Sequence, residues 1–197
     1  MSLRQKVLRR VKDVMASRPP DFEIGTPDDP YLQRWFVFPW GNYDRFAKPK
    51  NAWEAFKRRL PNVYLHRILR DDDDHALHCH PWASASWLLE NSYTEVLFYP
   101  LHPDRIAQLR QQGVARPTYA AYRPEGSVTF RAGPSAHRLV LDKVAGRLGR
   151  TRGVPVISLF FVGFKYREWG FYCPKGWKPF YEFVKPSDRG NVAKGCE

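Results

Sequence analysis

Cysteine is scarce in this chain, with three residues in 197, at positions 79, 173 and 196. An odd and sparse set argues against a disulfide framework and for a reducing compartment. Long apolar runs are missing as well. The longest, Val154 to Val162, is strand-sized and broken by Pro155 and Ser158, far short of the roughly 20 residues that cross a bilayer. Near the N-terminus the charges lie too close together to leave room for the apolar core of a signal peptide. A soluble, cytoplasmic protein without a membrane span is the expectation. There is no GxxxxGK phosphate loop, no Cys-x-x-Cys pair and no GxSxG elbow, so the commonest nucleotide-binding, redox and serine-hydrolase motifs have no counterpart. Carboxylates are outnumbered, 20 Asp plus Glu against 32 Lys plus Arg, for a net charge of +12. That excess favours an anionic partner, whether nucleic acid, nucleotide or headgroup, although the basic residues are scattered from Arg4 to Lys194.

What is present is enough for one packed domain: 43% hydrophobic and 15% aromatic residues over 197 positions. Residues 1–16 read as a basic amphipathic helix, residues 17–185 as a single domain and residues 186–197 as a C-terminal tail. In the helix, Leu3, Val7, Leu8, Val11, Val14 and Met15 recur at helical spacing, and Arg4, Lys6, Arg9, Arg10 and Lys12 fill the other face. Arg18-Pro19-Pro20 ends it. Residues 34–38 suggest a strand, 40–42 a turn and 52–60 a short helix. Strands are then expected at 63–70, 75–89, 93–99, 118–123, 127–131, 136–142, 155–164, 168–173 and 180–184, with a helix at 103–113. Many short strands parted by turn residues point to a mainly β sandwich or barrel with a few peripheral helices.

Chemistry concentrates in two segments. In Asp71-Asp72-Asp73-Asp74-His75-Ala76-Leu77-His78-Cys79-His80-Pro81-Trp82, strand alternation sends His78 and His80 to one face and Cys79 to the other. Two neutral imidazoles on one face can reach a single ion. The aspartate run reads as a solvated turn, one member of which can accept a hydrogen bond from a ligand imidazole. Farther on, Gly126 to Ala136 spells a strand and a tight turn that deliver His137 into the next strand.

Together the two segments resemble the paired motifs of the cupins, G(X)5HXH(X)3–4E(X)6G and G(X)5PXG(X)2H, over residues 63–185. Gly126 and His137 stand eleven positions apart, as in the second motif. Three positions depart from the first motif, which has Asp72, Ser84 and Asn91 where the family has glycine, glutamate and glycine; the Gly133-Pro134 order in the second is also shifted. The resemblance implies a double-stranded β-helix, or jelly-roll barrel, with His78, His80 and His137 as metal ligands and Glu95 as the candidate fourth. It also implies a metal-dependent enzyme, with non-haem Fe(II) and oxygen chemistry as the first expectation and an isomerase or hydrolase as the second. Zn, Ni, Mn and Cu remain compatible with imidazole.

Around these ligands, Trp82, Trp87, Tyr93, Tyr99, Trp169, Phe171, Tyr172 and Trp177 supply an aromatic core. Trp82, Tyr93 and Trp169 are candidate pocket residues. Arg131 and Arg138 are candidates for holding a substrate anion, with alternation favouring Arg131. His66, His75 and His102 read as surface, supporting or loop residues. A small, anionic substrate is the expected partner, with a homodimer left open. The alternative is a non-catalytic barrel that binds nucleic acid or nucleotide, because a fold does not settle function.

Overall fold

The apolar run of residues 156–162 lies at the centre of a sheet, where neighbours on both edges bury it. In the computed structural model, which describes residues 1–26, 28–41, 47–72, 76–145, 151–184 and 195–196, the chain begins with α1 (Leu3–Ser17), β1 (Phe22–Gly25), β2 (Pro30–Phe36) and a 3-10 turn (Pro39–Gly41). Next come α2 (Ala52–Lys57), β3 (Asn62–Ile68), β4 (Leu77–His78), β5 (Ser84–Glu90), β6 (Tyr93–Phe98) and α3 (Pro103–Gln111). The series continues through β7 (Thr118–Arg123), β8 (Val128–Arg131), β9 (His137–Leu141), β10 (Lys143–Ala145) and β11 (Thr151–Gly153). It closes with β12 (Val156–Val162), β13 (Gly170–Cys173), β14 (Gly176–Pro179) and α4 (Phe180–Phe183).

Pairing identifies the architecture. β3 pairs with β12, β4 with β9, β5 with β8 and β6 with β7, all antiparallel. The first four of these strands therefore meet the last four in reverse order, as in one long hairpin. Wound into two facing sheets, that ribbon gives the orders β3-β12-β5-β8 and β4-β9-β6-β7. This is the double-stranded β-helix, or jelly roll. β1 and β2 extend the first sheet beyond β3, and β13 and β14 extend the second beyond β4.

Local chemistry explains the peripheral pieces. Ser2 and Gln5 cap α1 reciprocally. The helix then lays Val7, Leu8, Val11, Val14 and Met15 on Trp35, Leu65, Trp87 and Leu159. Arg4 reaches the Leu89 carbonyl and Glu125, and Lys12 pairs with Glu90 at 2.6 Å. Asn91 turns the β5–β6 hairpin at φ 61°, a left-handed value that asparagine tolerates. Among the described residues, no helix is long and apolar enough to cross a membrane.

Several expectations change. Residues 75–89 are not one strand: β4 stops at His78, Pro81 removes a ladder donor, and the chain crosses to the opposite sheet before β5. Residues 180–183 form a helix rather than a strand. Phe180 stacks on Trp169 and Phe183 on Phe171, and a spacing of three puts both rings on one side only when the backbone is helical. The β10–β11 hairpin, β14 and the edge strand β1 carry no strong alternation and are not anticipated, whereas β13 falls within the strand expected at 168–173. Cys173 and Cys196 form one disulfide where the sparse cysteines argued against a disulfide framework, and Cys79 is the free thiol. His75, Asp73, Asp74, Asn42 and residues 186–194 and 197 of the expected tail lie outside the described residues.

Candidate metal centre

His78 and His137 are direct cross-strand partners in β4 and β9. Residues facing each other across a ladder have close side chains, and the two ring centroids are 4.8 Å apart. His80 lies just past β4, yet its backbone N–H donates to Gly133 O at 2.9 Å, and Cys79 N–H donates to Gly170 O at 3.0 Å. This extended backbone keeps the i, i+2 geometry beyond the strand end. The His80 ring is 5.2 Å from that of His78 and 5.0 Å from that of His137. Nε2 of His80 and Nε2 of His137 are 2.8 Å apart. One nitrogen from each of the three histidines lies within 4.8 Å of the others. Cys79 points the opposite way and is fully buried beside Leu77 and Ala136.

Burial holds His80 and His137 neutral. Desolvation pushes His80 well below the ordinary histidine value, helped by the charges of His137 and His78. It also lowers His137 to about 4, although the Glu95 carboxylate opposes the shift. Neutral imidazole is the metal-binding form.

Glu95 is fully buried on β6 and sits behind His137 rather than beside the three clustered nitrogens. Its Oε1 is 2.6 Å from His137 Nδ1, it accepts from Arg123 Nε at 2.8 Å, and it forms an ion pair with Arg131. Burial alone would raise its pKa, but His137, Arg131 and Arg123 together bring it down to about 2. An ionised Glu95 accepting the Nδ1 proton leaves the Nε2 lone pair of His137 facing inward. On the other side, Asp72 Oδ2 lies 3.7 Å from His78 Nδ1 and accepts the Leu139 backbone N–H at 2.8 Å. Desolvation and Asp72 raise the phenol pKa of Tyr31 well above its ordinary value.

The histidines open onto a cavity of about 1080 Å³ inside the barrel. Trp82, Tyr93, Trp169 and Arg131 line it, as the sequence suggests. Arg138 does not. It follows His137 on β9 and belongs to the outer face, because the turn at 132–135 leaves strand parity to be counted from His137. Tyr99 is about half exposed and Trp177 somewhat less.

Three lining residues escape the sequence reading. His66 is buried, not superficial: it accepts from Arg34 Nε at 2.8 Å and stacks on Phe160, its centroid 4.9 Å away. Parity along β3 could have placed it, since Tyr64, His66 and Ile68 share the inward face and the outer two are apolar core residues. Arg34 alternates likewise on β2. Arg167 Nη1 donates to His80 O at 3.2 Å and Gly133 O at 3.3 Å, from a segment with no sequence periodicity to announce it.

No family model and no curated protein matches the chain. Similar solved structures include a cupin-like protein from Thermotoga maritima, 10% identical, with 72% of this chain and 77% of that one covered and a TM-score of 0.35. A protein of unknown function with a cupin-like fold from Ralstonia eutropha is 10% identical, with coverages of 84% and 72% and a TM-score of 0.44. Hydroxypropylphosphonic acid epoxidase from S. wedmorenis is 16% identical, with 53% of this chain and 43% of that one covered and a TM-score of 0.31. Independently of these distant likenesses, the strand pairing makes the chain a double-stranded β-helix.

Proposed function

We propose that the chain is a metal-dependent enzyme of the cupin type, with Fe(II) as the first candidate metal, acting on a small anionic molecule inside the barrel. The observation that carries this reading is the convergence of three imidazoles, His137 buried and His78 and His80 half-buried, from the β4 segment and β9, on a large cavity. The donor set fits an ion. His80 and His137 are held neutral, and Glu95 orients His137 through its Nδ1 proton. His78, His80 and His137 would be the ligands, and a three-histidine site leaves coordination positions open to substrate. When bound, such an ion supplies Lewis acidity, and Fe(II) adds one-electron chemistry.

The chain's own residues do the rest. Trp82, Phe160, Trp169 and Phe171 wall the cavity and exclude water from the histidines. Among the described lining residues, seven are Lys or Arg and two are Asp or Glu, which favours an anion over a cation. On α1, Arg4 and Lys12 are engaged with Glu125 and Glu90, so the helix packs on the barrel and supports the nucleic-acid alternative poorly.

Elemental analysis of protein purified without an affinity tag tests the reading. About one transition-metal ion per chain is expected in wild type, and a strong loss in His78→Ala and in His137→Ala, with β-sheet circular dichroism retained. Unchanged stoichiometry in both variants removes the proposal.

A further inference from the structure

Of the cations lining the cavity, some are already spoken for. Arg131 is paired with Glu95, Arg58 with Glu54, and Arg34 with His66. Arg59, Lys165 and Arg167 are different: among the described residues, no carboxylate forms an ion pair with any of them. They are nevertheless fixed in place. Lys165 N–H donates to Arg59 O at 3.0 Å, and Arg59 Nε donates back to Lys165 O at 3.3 Å. Tyr166 N–H donates to Pro81 O at 3.0 Å, and Arg167 Nη1 bonds His80 O and Gly133 O. The 165–167 strap thus ties the end of α2 to the histidine-bearing segment and holds three positive charges along one side of the cavity.

Beneath that strap the wall is aromatic: Trp82, Phe160, Trp169 and Phe171.

We propose that the cavity takes an organic acid with a flat hydrocarbon body, its carboxylate held by Arg59, Lys165 and Arg167 rather than by Arg131. This rests on reading the cavity as a substrate site, but it assigns the acid group to the strap and not to a metal ion. The acid end binds at the strap, the body lies on the aromatic wall, and the end remote from the acid faces His78, His80 and His137. Arg131, already neutralised by Glu95, contributes to the histidine network instead.

Calorimetric titration with naphthylacetate and its neutral analogue naphthylethanol tests the assignment. Wild type should prefer the acid by about tenfold or more, the scale of one charge-assisted contact. The double substitution Arg59→Gln/Lys165→Gln, which leaves only Arg167, should cut the preference for the acid severalfold, leaving alcohol affinity and metal content unchanged. Arg59 is exposed and Lys165 half-buried, so the fold should survive, and circular dichroism checks that. In His78→Ala the preference for the acid should persist. Equal affinities in wild type, failure of both probes to bind, or an undiminished preference in the double variant would overturn the inference. A preference lost in His78→Ala would assign the acid to the ion, overturning this inference while leaving the metal reading intact.

Discussion

Glu95 is the residue on which the site leans most. It carries a negative charge with no exposure to water, balanced by Arg131, by the half-exposed Arg123 and by the His137 ring proton. Breaking a buried pair by neutralising one member leaves the other charge stranded, at a cost of about 3 kcal/mol or more. Glu95→Gln should therefore lower the urea midpoint substantially, and by freeing the His137 ring it should weaken metal retention about tenfold or more. Arg138→Ala, on the outer face, should leave metal content at the wild-type level. Equal stability of Glu95→Gln and wild type in urea would show that the network does not bear on the fold. At this scale strand alternation placed His78 and His80 on one face, and the resemblance to the second cupin motif brought His137 to them. Depth was not readable. Glu95 shares a face with the histidines, but nothing in its position along the chain reveals that its carboxylate reaches Nδ1 of His137 from behind. Nor does any local pattern place Arg167, whose position follows from backbone carbonyls on two distant segments.

Among the elements, α1 gives the plainest test. Its apolar stripe covers Trp35, Leu65, Trp87 and Leu159 on the outside of the sheet, with Val11 buried at the centre. Val11→Asp places a carboxylate against that apolar surface, and a loss of about 2–4 kcal/mol is expected from chemical denaturation. Lys12→Ala removes a half-exposed pair with Glu90 and should cost less than about 1 kcal/mol. Similar losses in the two variants would mean that the helix is held by charge rather than by burial. Helix α1 was legible because fifteen residues of regular period outweigh any competing pattern. Helix α4 was not: four residues, three of them aromatic, look like strand until Phe180 and Phe183 find Trp169 and Phe171. The broken span from residue 75 to 89 failed differently, since a continuous apolar alternation conceals a crossing between sheets that only Pro81 hints at.

For the whole molecule, acid should be destabilising, and the sign follows from the buried groups. His137 titrates at about 4 when folded against an ordinary 6.5, so the unfolded chain binds more protons between those values. Stability is then complete above about pH 6.5 and falls as the pH drops towards 4, by about 3 kcal/mol at the acid end. Glu95, lowered from 4.5 to about 2, adds a loss of the same sign as the pH falls from about 4.5 to 2. The thermal midpoint of chelator-treated protein should be flat near neutrality and decline steadily below about pH 6.5. A midpoint that climbs on acidification would contradict the buried, neutral state of His137. The winding of the ribbon carries one more consequence, and it concerns time. His80 and His137 are 57 positions apart, and β4 can meet β9 only once the strands between them have been laid down. Pairings so distant along a chain form late, because loop-closure entropy must be met before the contact rewards it. During refolding from denaturant, the intrinsic tryptophan signal should recover first. The ability to capture a metal ion should follow behind it.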